Sequence, residues 1–168
     1  MSLLLAKAKP VDFERCFTLR LEAEEPLIVG KTSYSSRGIV RLTSGRLRGS
    51  NVEADQLSCS LDEVTFSSDG FVKQAAIMVL RTQDGAILLL RLEGQKPQSA
   101  AARSSLLEAQ SGFVRGTWDT SEFLTKVSFE TASEKYWWLN HEMFLARGVE
   151  ESAVPSGAVV CLDIFKVR

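Results

Sequence analysis

The groups best placed to do chemistry crowd into residues 128–144, SFETASEKYWWLNHEMF. Tyr136, Trp138, Asn140, Glu142 and Phe144 fall at every second position, the spacing that puts side chains on one face of a strand. An amide at Asn140 can orient a carbonyl or hydroxyl. A carboxyl at Glu142, if buried, has a raised pKa and can shuttle a proton, with the Tyr136 phenol as a second acid–base group. If Ser133 and Glu134 form the loop of a hairpin, Thr131 faces Tyr136, Phe129 faces Trp138, Val127 faces Asn140 and Thr125 faces Glu142. The same face then holds Phe123, Thr125, Val127, Phe129 and Thr131, while the opposite face carries Lys126 and Glu130 and is wetter. The expectation is that the aromatic face turns inward; a slip of one residue would reverse it. Rings with a few convergent polar groups are what a small-molecule pocket needs. The plainer alternative is that the rings are ordinary core and Glu142 sits at a solvated rim.

Other chemistries find little support. His141 is the single histidine. It cannot build a multi-histidine metal centre, and this register puts it outside. Cys16, Cys59 and Cys161 lack ligand spacing, and an odd number cannot pair fully within the chain. They read as free thiols of a reducing compartment, so a cytoplasmic protein is expected. There is no phosphate-binding Walker loop, no dinucleotide fingerprint and no Gly-x-Ser-x-Gly nucleophile elbow. Neither a metal nor a cofactor is expected. Arg81, in RTQDG, either reaches an anionic group of a ligand or is solvated. Arg37, beside Gly38, either guards a pocket mouth or faces water. Trp118 is either a lid or a ring folded back on the core. Asp84 is explained by its turn. Residues 26–52 contain no acid and five bases, Lys31, Arg37, Arg41, Arg46 and Arg48. That segment is either a solvated strand face or a binding surface for an anion.

The elements that must position these groups read as strands. Phe17, Leu19 and Leu21 alternate with Thr18, Arg20 and Glu22. Ser44-Gly45 between 38–43 and 46–50 looks like a hairpin turn. Residues 61–66 and 71–82 flank Ser-Ser-Asp-Gly, and 71–82 and 86–93 flank Gln-Asp-Gly, where glycine can supply the positive φ of a tight turn. Residues 98–110 are rich in helix formers and stop before Gly112, so one short helix is expected. Further strands are expected over 122–131, 136–147 and 158–167. The fold class is therefore all-β: a single-domain closed antiparallel β-barrel spanning 1–168, with 1–12 as a loose N-terminus. Closure removes the exposed edges that so many strands would present.

At 168 residues, 45% hydrophobic and 24% charged, the chain can bury a real core. A net charge of -1 argues against general nucleic-acid binding. The longest apolar runs, such as AILLL, fall far short of the roughly 20 residues of a membrane helix. The opening MSLLLAKAKP lacks the basic and long apolar regions of a signal peptide. Trp137, Leu139 and Met143 point outward in this register, as do Ile87 and Leu89 opposite Leu88, Leu90 and Leu92. Something must cover them, either the helix near Leu106 or a second copy, so a homodimer is expected.

Ile28-Val29-Gly30, Arg37-Gly38-Ile39-Val40, SGRLRG, SSDG, RTQDGAI and FETASEKYWWLN follow one another in an order that resembles the domain-of-unknown-function 3237 family. The likeness runs from about Phe17 to the C-terminus. It implies a closed antiparallel barrel of calycin- or lipocalin-like appearance, often dimeric, with no established common reaction. Some members look like accessory proteins of specialised metabolism, where similar small barrels act as cyclases, isomerases or lyases. The family's shared Tyr, Trp and Asn fall on Tyr136, Trp138 and Asn140, and its Phe-Glu-Thr on Phe129, Glu130 and Thr131. The chain departs from the family where a Gly-Gly-x-Asp-Trp segment is usual and NVEADQLSCSLDEV stands instead. If that segment binds the common ligand, this chain takes a different ligand or works differently.

Two functions stay open. The first is a cofactor-independent enzyme that holds an apolar, oxygenated metabolite in the barrel and performs acid–base isomerisation, elimination or cyclisation. Glu142, Tyr136 and Asn140 would act on the ligand; Trp138, Phe129, Thr131, Phe144, Arg37, Arg81 and Trp118 would bind it. The second is a binding or carrier barrel without chemistry. Both imply a small-molecule partner, with no nucleic acid and no membrane.

Overall fold

The computed structural model describes residues 10–33, 35–67, 70–98, 112–113, 122–152 and 157–168. The described strands are β1 (Phe13–Ala23), β2 (Leu27–Lys31), β3 (Ser36–Gly49), β4 (Glu53–Gln56), β5 (Ser60–Phe66), β6 (Phe71–Thr82), β7 (Ile87–Pro97), β8 (Gly112–Phe113), β9 (Glu122–Glu130), β10 (Phe144–Ser152) and β11 (Ala158–Val167). All belong to one antiparallel sheet that closes on itself, because β1 pairs with β11 on one side and β3 on the other. β4 and β5 both lie between β3 and β6 and act as one interrupted stave, which gives a closed barrel of eight staves. After the chain bends at Pro26, β2 replaces β1 as the neighbour of the first part of β3.

Period-two alternation makes the core. On β1, Phe17, Leu19, Leu21 and Ala23 point inward, and on β7 Leu88, Leu90 and Leu92 do the same. The outer face carries ion pairs such as Arg37–Glu63, Arg41–Glu24 and Arg48–Asp55. These account for much of the acid-free basic segment: Arg37, Arg41 and Arg48 point outward and meet acids on β5, in the β1–β2 connection and on β4. Leu61, Ile77, Ile87 and Trp137 remain exposed on the outside.

The Gln-Asp-Gly turn forms as expected. Gly85 has φ +88°, and Thr82 donates its N–H to Ala86 O at 2.9 Å. Two other expectations are corrected. Ser44-Gly45 is not a hairpin turn, since β3 runs unbroken through it. The glycine serves a close approach instead: a Cβ there would meet the Gln56 side chain at 2.7 Å and Leu21 at 3.2 Å.

The hairpin with its loop at Ser133 and Glu134 is also absent. β9 ends at Glu130, a 3-10 helix spans Glu134–Asn140, and β10 begins at Phe144, opposite Val127. Tyr136 and Leu139 are the buried residues of that helix, three apart, as its three residues per turn require. Asn140 holds the fold-back: its Oδ1 accepts from Thr131 N at 2.8 Å and its Nδ2 donates to Thr131 O at 2.9 Å. Alternating rings thus came from a helix packed under the barrel, not from a strand. The helix expected over 98–110 falls, beyond Gln98, outside the described residues.

Candidate functional site

The two ends of the barrel are built differently. At the end reached by the start of β1, the end of β9 and the start of β10, Phe17, Phe129 and Phe144 point inward. Trp138 from the 3-10 helix joins them, with ring centroids 5.3 to 6.3 Å apart. Edge-on and tilted contacts of this kind are favourable, about 0.5–1.5 kcal/mol per pair beyond burial. The rings fill the space and plug the barrel.

Below the plug, Tyr136 is buried and donates its hydroxyl to Asp84 Oδ2 at 3.0 Å. Asp84 also accepts from Lys135 at 2.6 Å and Thr82 Oγ1 at 2.5 Å. The hydrogen bonds from Lys135 and Thr82 hold its carboxyl well below the usual carboxylate range, and Lys135 is raised in turn. This cluster ties the helix to the β6–β7 turn.

At the opposite end the inward positions carry smaller and more polar side chains, and a cavity of about 80 Å³ remains. One water needs about 10–15 Å³ on that measure, so there is room for several waters or a small ligand. Much of its wall is apolar, including Leu42, Val64, Val72, Leu92, Phe123 and Val160. Set into it are Asp62, Gln74, Lys96, Thr125 and Glu150. Period-two geometry places each of these. Asp62 follows Ser60 and precedes Val64 on the inner face of β5. Lys96 continues the inward row of Leu88, Leu90 and Leu92 on β7, and Glu150 that of Phe144, Ala146 and Gly148 on β10. Gly94 and Gly148 flank β9, opposite Thr125 and Phe123. A Cβ on Gly148 would come within 2.4 Å of the Phe123 ring, so only glycine lets that ring lie across the wall.

Lys96 donates to Glu150, and the pair is deeply buried, with side-chain exposures of 10% and 2%. Asp62 accepts from Ala75 N at 3.0 Å and from Gln74 Nε2 at 3.5 Å. Burial pushes its carboxyl up to about 7; the Ala75 N–H opposes this, Glu150 adds to it and Lys96 subtracts. An acid with that affinity is half-ionised at neutral pH, where a proton donor and acceptor is most useful.

The structure brings together only part of the residue set picked out from sequence. Phe129, Phe144, Trp138 and Tyr136 are at the plugged end, where the rings of Phe129, Phe144 and Trp138 pack against one another. Asn140 spends its amide on Thr131, whose Oγ1 donates to Ile87 O at 2.7 Å. Glu142 accepts from Lys166 at 2.5 Å in a half-buried pair outside the plug, contrary to the inward position expected of it. Arg37 and Arg81 are exposed on the barrel wall. Trp118 lies outside the described residues. His141 is exposed, as expected. Asp62, Lys96, Glu150, Gln74 and Thr125 were missed. The signal was present in each of the first three: a charge continuing an apolar, inward-facing row. Among the described residues no group of three or more His, Cys, Asp or Glu is placed to hold a metal ion. Likewise no described helix is long and apolar enough to cross a membrane.

Fold and chamber together define a small antiparallel β-barrel, plugged by rings at one end and hollow, with a titratable wall, at the other. The chain belongs to the family described as protein of unknown function (DUF3237), whose model matches residues 11–167. It is similar to a UPF0311 protein of Clostridium acetobutylicum, at 22% identity over 142 residues, covering 84% of this chain and 87% of that protein. A β-barrel-like protein of Acinetobacter baumannii superposes with a TM-score of 0.71 at 24% identity, covering 96% of this chain and 99% of the other. A protein of Penicillium herquei described as an enzyme does so with a TM-score of 0.63 at 20% identity, covering 96% and 99%.

Proposed function

We propose that the chamber at the hollow end binds a small, mainly apolar, oxygenated molecule and that Asp62 exchanges a proton with it. The reaction class is cofactor-independent isomerisation, elimination or cyclisation. The observation that carries this reading is a carboxyl buried on the wall of an apolar cavity, where burial pushes it up to about 7. Gln74 and Ala75 orient that carboxyl, and Thr125 and the Lys96–Glu150 pair add polarity around it. Purely structural packing has no use for such a group, because burying it costs stability. That a barrel of similar fold from Penicillium herquei is described as an enzyme agrees with the reading. Three free cysteines, Cys16, Cys59 and Cys161, fit a cytoplasmic setting.

The test is a thermal-shift screen of uncharged ketones, enols and lactones, followed by turnover assays on the binders. Asp62→Asn should keep binding and lose turnover by about a hundredfold or more. Binding without turnover in either protein would make the barrel a carrier. A screen with no binder would defeat the chamber itself.

A further inference from the structure

The charges on the chamber wall decide what it can admit. Among the described residues lining it, Lys96 is the one cation and Asp62 and Glu150 are the acids. The ammonium of Lys96 is already held by Glu150, and both are almost wholly removed from water. Lys96 and Glu150 cancel, so the wall is neutral when Asp62 is protonated and carries one negative charge when it is not. An anion entering the cavity would shed its water beside two carboxyl groups and find no unpaired cation among the described residues that line it. Burying a charge without a partner is strongly unfavourable. An uncharged ligand meets no such penalty. Leu42, Val64, Val72 and Phe123 take up its apolar surface, and the Asp62–Gln74 pair offers hydrogen-bond donors to a carbonyl oxygen.

We propose that the chamber selects uncharged carbonyl compounds over carboxylates, and that Glu150 sets this selectivity by occupying Lys96. Glu150 is then a specificity-determining residue, not a proton carrier. The proposal rests on the hollow end being a small-molecule site and adds the ligand's charge.

Two probes of nearly equal size and shape test it: para-fluoroacetophenone, a neutral ketone, and para-fluorobenzoate, an anion at neutral pH. Fluorine NMR titration reads binding of each. The wild-type protein should bind the ketone at least about tenfold more tightly than the benzoate. The chamber-filling variant Ala76→Phe should abolish ketone binding, which locates the site. Glu150→Gln uncovers Lys96 and should raise benzoate affinity relative to that of the ketone by about tenfold or more. Benzoate binding as tight as the ketone's in the wild type overturns the selectivity and leaves the chamber standing. Failure of both probes to bind overturns the chamber and the selectivity with it. If Glu150→Gln does not fold, the wild-type comparison still decides.

Discussion

The same staves build a solid end and a hollow end, and the difference lies in what they put at their inward positions. Along β9, Val127 and Phe129 lie toward the plug while Phe123 and Thr125 line the cavity. Along β10, Phe144 gives way to Ala146, Gly148 and then Glu150. Along β1, Phe17 gives way to Leu19, Leu21 and Ala23. Rings at one end fill the cross-section; alanine, glycine and threonine at the other leave it short of volume. The polar groups sit where the volume is missing. A small barrel of this kind can keep its stability and its site apart, with the plug supplying the first and the chamber the second.

The largest expected effect strikes the plug. Phe144 is fully buried among Phe17, Phe129 and Trp138. Phe144→Ala should cost about 3–5 kcal/mol in denaturant unfolding, because the rings around it are too interlocked to collapse into the gap. Binding of para-fluoroacetophenone in the folded population should stay the same. A variant that keeps its stability but loses binding would erase the division between the ends.

A second comparison sets two aspartates against each other. Asp62 has its pKa raised from 3.8 to about 7 by burial. The folded protein therefore holds that proton more tightly than the unfolded chain does. Its contribution to stability is full below the ordinary value and is lost as pH rises toward about 7, at most about 4 kcal/mol in all. Asp84 at the plugged end is lowered, chiefly by its hydrogen bond from Lys135, so its contribution has the opposite sign. It is present above the ordinary carboxylate pKa and lost as pH falls through the depressed one. Unfolding curves measured from acid to mildly alkaline pH should show Asp62→Asn flattening the fall in stability toward neutrality. Asp84→Asn should instead weaken the protein at neutral pH and lose that effect in strong acid. Equal slopes in Asp62→Asn and wild type would remove the perturbed carboxyl from the chamber.

The barrel was legible in the sequence because strand alternation and Asp-Gly turns are local signals. So was the inward turn of Phe123, Thr125, Val127, Phe129 and Phe144. The segment from Tyr136 to Glu142 misled, since its rings at every second position read as a strand while the burial of Tyr136 and Leu139, three apart, is that of a 3-10 helix. What decided between them was the non-local grip of Asn140 on Thr131 and of Asp84 on Tyr136 and Lys135. The chamber was hidden for a different reason. Asp62, Lys96 and Glu150 lie on three strands, β5, β7 and β10, and meet only after closure. Each had left a local trace, a charge at the end of an apolar row, but such a charge also ends many strands in water. Only the cross-barrel register separates the two cases.

The smallest expected effect falls on the residue that the sequence made most attractive. Glu142 pairs with Lys166, with side-chain exposures of 32% and 21%, and Lys166 lies 5.9 Å from the Trp138 ring centroid. Water reaches both partners, so the attraction is screened and the pair holds little energy. Glu142→Gln should change stability by no more than about 1 kcal/mol. It should leave ketone binding and any turnover of a chamber ligand as they are, because the plug of Phe17, Phe129, Phe144 and Trp138 stands between Glu142 and the cavity. The measurement that matters is turnover of Glu142→Gln beside Asp62→Asn on one substrate. If the Glu142 variant is the one that fails, acid–base chemistry belongs to the plugged end, and the two ends must exchange the roles assigned to them.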